Sequence, residues 1–179
     1  MTAMEAVLAA FCLANLLLTL AVVRRLRVHT ERLDRLTDGE PPLLQPGDPV
    51  GEFEVPTVGG SLAAATDLAA GGLIAVVSPG CGSCEEAVPG LVAALAEPGR
   101  PPMVIVVAAE PVEAEAMVRA LGPDAPVVIE APVTGAVQRA LGIREYPSLV
   151  AVADGAVTAL GHDVRDLPAV LAAIPRPVR

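Results

Sequence analysis

Apolar residues along the chain form one long run and several short ones. The long run covers residues 4–23, carries a single charge near its start and is followed by three arginines within four residues. About 20 such residues are enough to cross a hydrocarbon core of roughly 30 Å as a helix. A cleaved signal peptide would begin with basic residues and end at a small-x-small site, and neither feature is clear here. The pattern predicts an uncleaved transmembrane helix rather than a core helix, which would normally keep a polar stripe.

A segment rich in proline and glycine separates this helix from the rest of the chain. Residues 24–36 continue the helical pattern with charged side chains, and DGEPPLLQPGDPVG then supplies three Gly and four Pro in fourteen residues. Prolines at this density end a helix and form a stiff linker. We assign residues 1–36 to the anchor helix with its charged extension, 37–50 to the linker and 51–179 to one domain of ordinary size.

The remaining short runs alternate between strand and helix patterns. A hairpin is predicted around Gly59-Gly60, and four unbroken apolar runs are typical of strands covered on both faces. The four runs are Leu73–Ser78, Met103–Ala108, Pro126–Ile129 and Ser148–Val152, the last continuing through a turn into a second strand. Helical patterns cover Ser83–Ala96, Pro111–Leu121, Val133–Leu141 and Asp163–Ile174. The alternation predicts an α/β fold with a mixed central sheet flanked by helices, parallel inside and antiparallel at the late hairpin.

Composition argues against several classes of function. The chain has three aromatic residues, no Trp and no Lys, and its formal net charge is -9. Clustered positive charge for nucleic acid is therefore not expected, and an aromatic box for sugars, bases or quaternary amines has almost no residues to build it. Three cysteines in 179 residues cannot form a disulfide scaffold. Any cysteine chemistry must be local.

Cys81 and Cys84 stand two residues apart where the first buried strand gives way to a helix. The free N–H groups and the positive end of the dipole at a helix start favour a thiolate, so Cys81 is the expected nucleophile. Cys84, one turn later on the same face, is placed to resolve a mixed disulfide formed by Cys81. A zinc half-site is disfavoured because the third cysteine lies in the predicted span and the two histidines lack ligand spacing. A pair of incidental core thiols is the other alternative.

The motif SPGCGSC between strand and helix, with the later EYPSLVAVADGAV, resembles the thioredoxin superfamily in its membrane-anchored TlpA/ResA-like or MauD-like (methylamine utilisation) branch. The resemblance covers residues 48–174 and implies a thioredoxin-like fold and thiol-disulfide oxidoreductase activity. Pro89 matches the proline that kinks the family's active-site helix. Pro147 matches the proline that is cis in the family, and the backbone of Tyr146 would then dock a substrate segment beside Cys81. The long separation between Cys81 and Pro147 leaves room for an extra strand and helix.

Two positions near the cysteines depart from the family pattern. Gly80 stands where relatives carry an aromatic residue, and Ala75 stands where thioredoxins bury an acid that moves protons during exchange. Another acid or water must then assist the exchange. The candidate replacements are Glu52, Glu54 and Asp67.

Two acids also follow the second cysteine, where many relatives carry a base. Glu85 and Glu86 suit the helix dipole but disfavour a nearby thiolate. We therefore predict that changing both to Gln lowers the pKa of Cys81. Two solvated acids with little effect on that pKa are the alternative.

Two other functions stay open. A peroxiredoxin-like peroxide reductase would use a Ser or Thr three residues before its cysteine, which Ser78 supplies, but Ile74 occupies the position of its upstream Pro. Such an enzyme would turn over peroxide without Cys84. A non-catalytic thioredoxin-fold binding or chaperone module would keep the disulfide as a staple that cellular reductants do not open.

The expected partners are protein disulfides or dithiols and an upstream redox partner, with the membrane contacted through residues 4–23. No cofactor, metal or nucleic acid is expected. We predict a single-pass protein of the cell membrane. The arginines after the span place the domain in the cytoplasm by the positive-inside rule, whereas the family resemblance, which we weigh slightly more, implies the extracytoplasmic side.

Overall fold

The structure is a computed structural model of the chain. It describes residues 44–99 and 101–175 and, nearer the N-terminus, residues 4, 11–13, 15, 16, 18 and 19. The chain divides into two compact units, Met1–Pro42 and Leu43–Arg179. The predicted anchor and its charged extension thus lie largely outside the described residues.

The described positions of the first unit are helical and exposed. The Thr19 hydroxyl donates to the carbonyl of Asn15 at 2.8 Å, which is the one-turn spacing of a helix. Cys12, the third cysteine, is free and exposed. Within the described ranges, none of the helices combines the length and apolarity that a membrane crossing requires.

The second unit alternates strands and helices much as the apolar runs predict. The described residues of this unit form seven strands: β1 (Glu54–Pro56), β2 (Leu62–Ala64), β3 (Gly72–Val77), β4 (Met103–Ala108), β5 (Val127–Glu130), β6 (Ser148–Ala153) and β7 (Ala156–Gly161). The same residues form four α-helices: α1 (Gly82–Ala96), α2 (Pro111–Leu121), α3 (Ala136–Leu141) and α4 (Leu167–Ala172). Single 3-10 turns lie at Ala65–Leu68 and Val164–Asp166. Two strand–helix units separate α1 from β6, in keeping with the extra unit that the sequence left room for.

Five strands form the central sheet in the order β5-β4-β3-β6-β7. β3 runs parallel to β4 and β4 parallel to β5, whereas β6 runs antiparallel to both β3 and β7. The predicted mixed sheet with a late antiparallel hairpin is therefore confirmed. β1 and β2 pair separately as the predicted N-terminal hairpin.

The core lies on both faces of this sheet. Every residue of β3, β4 and β6 is buried, which is why these strands have unbroken apolar sequences. One face packs against α1, α2 and α4 through residues such as Leu91, Met117 and Leu167. The other face packs against the hairpin and α3 through residues such as Phe53 and Val137.

The third helix is shorter than its sequence pattern indicates. We predicted a start at Val133, but α3 begins at Ala136, after Gly135 as its N-cap. Val133 has a φ of 63°, in the left-handed region that a β-branched residue rarely adopts. Residues 131–135 therefore form a loop between β5 and α3.

Segments from the start of the domain bond to both edges of the sheet. At β7, Gly47 N–H donates to the carbonyl of Val157 at 2.8 Å, and Val157 N–H donates to that of Asp48 at 2.9 Å. At β5, Val58 N–H donates to the carbonyl of Val127 at 2.7 Å. The last residues of the predicted linker are thus bonded to the edge strand β7.

Candidate active site

The loop between β3 and α1, residues 78–81, brings the first cysteine to the start of a helix. We call it the cysteine loop. Its turn at Pro79-Gly80 reverses the chain, and Cys81 is the N-cap of α1. The Ser78 hydroxyl donates to the carbonyl of Ala108 at 2.9 Å and ties the loop to the end of β4. The sequence placed the cysteine pair at this strand-to-helix junction, and the structure confirms it.

Cys81 and Cys84 form a disulfide, with their Cα atoms 5.2 Å apart. Cys81 is half-buried, whereas Cys84 is completely buried among the residues that pack on the first face of the sheet. Cys84 N–H donates to the Cys81 sulfur at 3.3 Å, and the N–H groups of Cys84 and Glu85 reach the Cys81 carbonyl at 3.0 Å. Cys81 is therefore the accessible sulfur, and it lies where backbone donors and the helix dipole stabilise negative charge.

The loop before β6, residues 144–147, faces the disulfide. We call it the cis-proline loop because the Tyr146–Pro147 peptide is cis, as the family resemblance implied. The Tyr146 carbonyl oxygen lies 3.7 Å from the Cys81 sulfur. Pro147 is buried, and Ser148 just beyond the loop donates from its hydroxyl to the Glu145 carbonyl at 2.7 Å. The structure thus brings together Cys81, Cys84, Tyr146 and Pro147, the four residues predicted for the site.

Gly80 has a backbone reason for its identity. Its φ is +73°, a conformation that glycine adopts at little cost and other residues avoid. No atom lies within 4 Å of the position that its Cβ would occupy. An aromatic side chain at this position would have space, but it would need a φ that residues other than glycine avoid.

The three candidate replacement acids lie in or next to the N-terminal hairpin and in the 3-10 turn that follows it. Ala75, at the position of the family's buried acid, is completely buried in β3. The Asp67 carboxylate accepts the N–H of Ala64 at 2.9 Å and acts as a local cap. Glu52 and Glu54 are exposed at the N-terminal hairpin. Among the described residues, no three His, Cys, Asp or Glu side chains are grouped to hold a metal ion.

One of the two acids after the cysteines, Glu86, lies near a surface ion pair. Arg165 donates from Nε to Asp163 at 2.9 Å, and this hydrogen bond is the main reason that the pKa of Asp163 is lowered from 3.8 to about 2. The pKa of Arg165 is raised chiefly by Asp163, with smaller contributions from Asp166 and from Glu86 on α1. Glu86 therefore has a positive partner in its vicinity. Its effect on the pKa of Cys81, together with that of Glu85, remains a prediction.

An apolar groove of about 350 Å³ runs beside the cysteine loop between α1 and α2. Its lining includes Pro79, Pro89 and Met117, together with the carboxylates Glu85 and Glu113. Pro89 lies inside α1, five residues after Cys84, as the resemblance implied. The surface next to Cys81 thus combines apolar and acidic groups.

Sequence reasoning missed two buried polar residues connected to the cis-proline loop. Glu130, at the end of β5, is 8% exposed, and Gln138 in α3 is completely buried. The Gln138 side-chain oxygen accepts the Tyr146 hydroxyl at 2.5 Å. A buried acid at the end of an aliphatic strand was the available signal, but nothing in the sequence indicates its partner.

Comparison with known proteins gives structural relatives only. No family model matches the chain, and no curated protein matches its sequence. One similar structure is the thioredoxin domain of a thiol-disulfide oxidoreductase from Bacteroides vulgatus, with a TM-score of 0.60 and 14% identity over 72% of this chain and 96% of that one.

Two further structures extend this similarity. One is a secreted Mycobacterium tuberculosis disulfide oxidoreductase homologous to E. coli DsbE, with a TM-score of 0.58 and 16% identity over 68% of this chain and 95% of that one. The other is a thioredoxin-family thiol:disulfide interchange protein from Chlorobium tepidum, with a TM-score of 0.55 and 17% identity over 72% of this chain and 95% of that one. The predicted thioredoxin-like fold is therefore confirmed for the domain that carries Cys81 and Cys84.

Proposed function

We propose that the protein is a membrane-tethered thiol-disulfide oxidoreductase that exchanges the Cys81–Cys84 pair with protein partners. One observation carries the proposal: an accessible sulfur at a helix N-terminus is paired with a buried one and faces a cis-proline loop. The structural relatives, which are themselves oxidoreductases and an interchange protein, support it.

The arrangement supports a distinct role for each sulfur. In the reducing direction, the Cys81 thiolate attacks a disulfide of the client, one client sulfur leaves as a thiolate and a mixed disulfide forms. The Cys84 thiolate then attacks the Cys81 sulfur and releases the second client sulfur. Two electrons pass to the client, whose two thiolates take up protons, while Cys81 and Cys84 become a disulfide. The oxidising direction is the reverse.

The environment of the pair favours this order of attack. Cys84 is buried, so a client reaches Cys81 first, and the Cys84 N–H that contacts the Cys81 sulfur at 3.3 Å stabilises its thiolate. The carbonyl of Tyr146 beside Cys81 is placed to accept an N–H from an extended client segment. Protein disulfides or dithiols are therefore the proposed substrates, together with a redox partner that restores the pair.

The decisive experiment traps the mixed disulfide. Reduced Cys84→Ser should form a covalent complex with a client protein that carries a disulfide, and dithiothreitol should release the client. Cys81→Ser should form no such complex. Wild-type protein should catalyse the reduction by dithiothreitol of the disulfides of insulin, which serves as the test protein. Peroxide turnover that survives in Cys84→Ser without disulfide exchange would instead support the peroxide-reductase alternative, and an unreactive disulfide would support a binding module.

Tethering through residues 4–23 and an extracytoplasmic domain are part of this proposal. The apolar length and the Arg-rich flank of that segment support an anchor, and the secreted relative from Mycobacterium tuberculosis supports an oxidising compartment. A MauD-like role on a disulfide-rich redox enzyme is the narrower form. A reporter fused after Arg179 that is active only outside the cytoplasm would support the proposed side, and activity only inside would overturn it.

A further inference from the structure

Glu130 and Gln138 are unusual because they are buried side chains of high polarity in an otherwise aliphatic domain. Burial of such groups is costly unless every donor and acceptor is paired. In the described residues, no buried side-chain nitrogen or oxygen is left without a hydrogen-bond partner. The two residues therefore belong to a network in which each buried polar side-chain atom has a hydrogen-bond partner.

The Glu130 carboxylate accepts three N–H donors from the start of α3. Oε1 accepts the N–H of Val137 at 2.8 Å, and Oε2 accepts the backbone N–H of Gln138 at 3.3 Å and its side-chain Nε2 at 3.2 Å. Gly135 makes this approach feasible, since a Cβ there would overlap the carboxylate. Glu130 thus fixes both the start of the helix and one end of the Gln138 amide.

The other contacts of Gln138 fix the direction of that amide. Its Nε2 also donates to the Ala131 carbonyl at 3.1 Å, while its Oε1 accepts the Val133 N–H at 2.9 Å and the Tyr146 hydroxyl. Both N–H groups and both lone pairs of the amide are therefore in use. Val133, whose N–H also donates to the Tyr146 hydroxyl oxygen at 3.1 Å, is held at its φ of 63° by these bonds.

Tyr146 connects the network to the reacting sulfur. Its hydroxyl is anchored at Gln138, its ring packs against the clusters on both faces of the sheet, and its carbonyl lies 3.7 Å from the sulfur of Cys81. A side chain anchored at its far end restricts the backbone from which it projects. The position of the docking carbonyl is thereby coupled to a carboxylate at the end of β5.

We infer that Glu130, Gln138 and Tyr146 form a positioning network that holds the Tyr146 backbone in the geometry needed to dock an extended protein substrate beside Cys81. The inference rests on the proposed function and adds a specificity to it. A protein disulfide, which pairs with the loop backbone, depends on the network. A small disulfide, which needs only the Cys81 sulfur, does not.

The test uses Tyr146→Phe in the full chain, because this change removes the hydroxyl and keeps the ring. We expect kcat/KM for insulin to fall by about tenfold, mainly through KM, since a buried hydrogen bond to Gln138 is lost. Exchange with oxidised dithiothreitol should fall by a clearly smaller factor than exchange with insulin, because that reaction does not use the docking backbone. The reduction potential of the pair should not change.

Thr57→Val is the matched control. Thr57 is a buried residue of the N-terminal hairpin, and its hydroxyl contacts the Ser61 carbonyl at 3.0 Å and the Ser61 hydroxyl at 2.8 Å. Its loss removes two contacts, as the loss of the Tyr146 hydroxyl does, but at a hairpin distant in sequence from the cysteines. It should leave the ratio of the two activities unchanged. A second variant, Gln138→Met, cuts the network one bond further away. The double variant Tyr146→Phe/Gln138→Met should lose no more insulin activity than the more affected of its two single variants, because the three network residues act in series.

Three outcomes would overturn the inference: unchanged insulin activity in Tyr146→Phe, equal losses on both disulfides, or additive losses in the double variant. Wild-type protein that exchanges with neither disulfide would overturn the proposed function itself and with it the network's role. If the wild-type protein is active and Tyr146→Phe has the same insulin activity, only the role of the network would be overturned.

Discussion

The cysteine loop and the cis-proline loop meet at one disulfide but are held in different ways. The cysteine loop depends on backbone geometry: a glycine at a φ of +73°, a helix N-cap and one hydroxyl bonded to β4. The cis-proline loop depends on side chains, because Tyr146 is anchored to a buried amide that is itself bonded to a buried carboxylate.

The difference shows how the two loops can respond to substitution. Around Gly80 and Gly82 no atom lies within 4 Å of an added Cβ, so side chains there meet open space. Around Gln138 every polar atom has a partner and the side chain is completely buried. Changes in the cysteine loop should therefore act through local backbone conformation, and changes at the network through unpaired buried groups.

The largest effect is expected at the buried carboxylate. Glu130→Gln exchanges one acceptor oxygen for an NH2 group, which then faces the N–H donors of Val137 or Gln138. Leaving buried donors unpaired should lower the free energy of unfolding by about 2–3 kcal/mol, measured by urea denaturation. Glu115→Gln on the exposed side of α2 is the matched control and should change stability by less than about 0.5 kcal/mol. Equal behaviour of the two variants would refute the importance of the network for folding.

A smaller effect is expected in the cysteine loop. Gly80→Ala places a side chain at a φ of +73° and should lower the free energy of unfolding by about 1–2 kcal/mol. Gly82→Ala, two residues on, is the control, because it also faces open space but lies in the first turn of α1. It should be neutral or slightly stabilising. A Gly80→Ala protein as stable as Gly82→Ala would show that the loop adapts without strain.

The smallest effect is expected at the exposed ion pair near α1. The pKa of Asp163 is lowered to about 2 by Arg165, so its charged form is favoured in the folded state. The stabilisation of the folded state by the charged Asp163 is fully present above the ordinary pKa of 3.8, and it is lost as the pH falls towards 2. The difference in Tm between wild type and Asp163→Asn should therefore be small near neutral pH and shrink in that window. If the Tm difference does not depend on pH, it arises from helix capping by Asp163 and not from its charge.

The architecture could be predicted because its central strands are buried on both faces. Such strands have unbroken apolar sequences, as in β3 and β4, and the helices between them keep a polar side, so the two patterns differ along the chain. The cysteine pair could be predicted because it occupies a local motif, and the cis-proline because the segment around Pro147 resembles the thioredoxin superfamily. Local signals of this kind need no knowledge of the tertiary structure.

The network could not be predicted because its members are related only by packing. Glu130, Gln138 and Tyr146 each stand eight residues from the next, with no shared helical face or strand register. Their interaction depends on the loop between the end of β5 and the start of α3, in which Val133 has a positive φ. Val133 is also the residue at which we wrongly predicted the start of the third helix. Propensity suggested helix there, but bonds to Gln138 and Tyr146 outweigh it.

The bonds that the start of the domain makes to both outer strands bear on how this protein tolerates its proposed clients. An unpaired strand at the margin of a sheet is a template on which other extended chains add and aggregate. Here residues 47–50 lie along β7, and the segment includes or follows two prolines, Pro46 and Pro49, which have no N–H to offer another strand. At the other edge, the Val58 N–H donates to the Val127 carbonyl of β5. With these margins occupied, the proposed clients would pair with the backbone at Tyr146 rather than with the edges of the sheet.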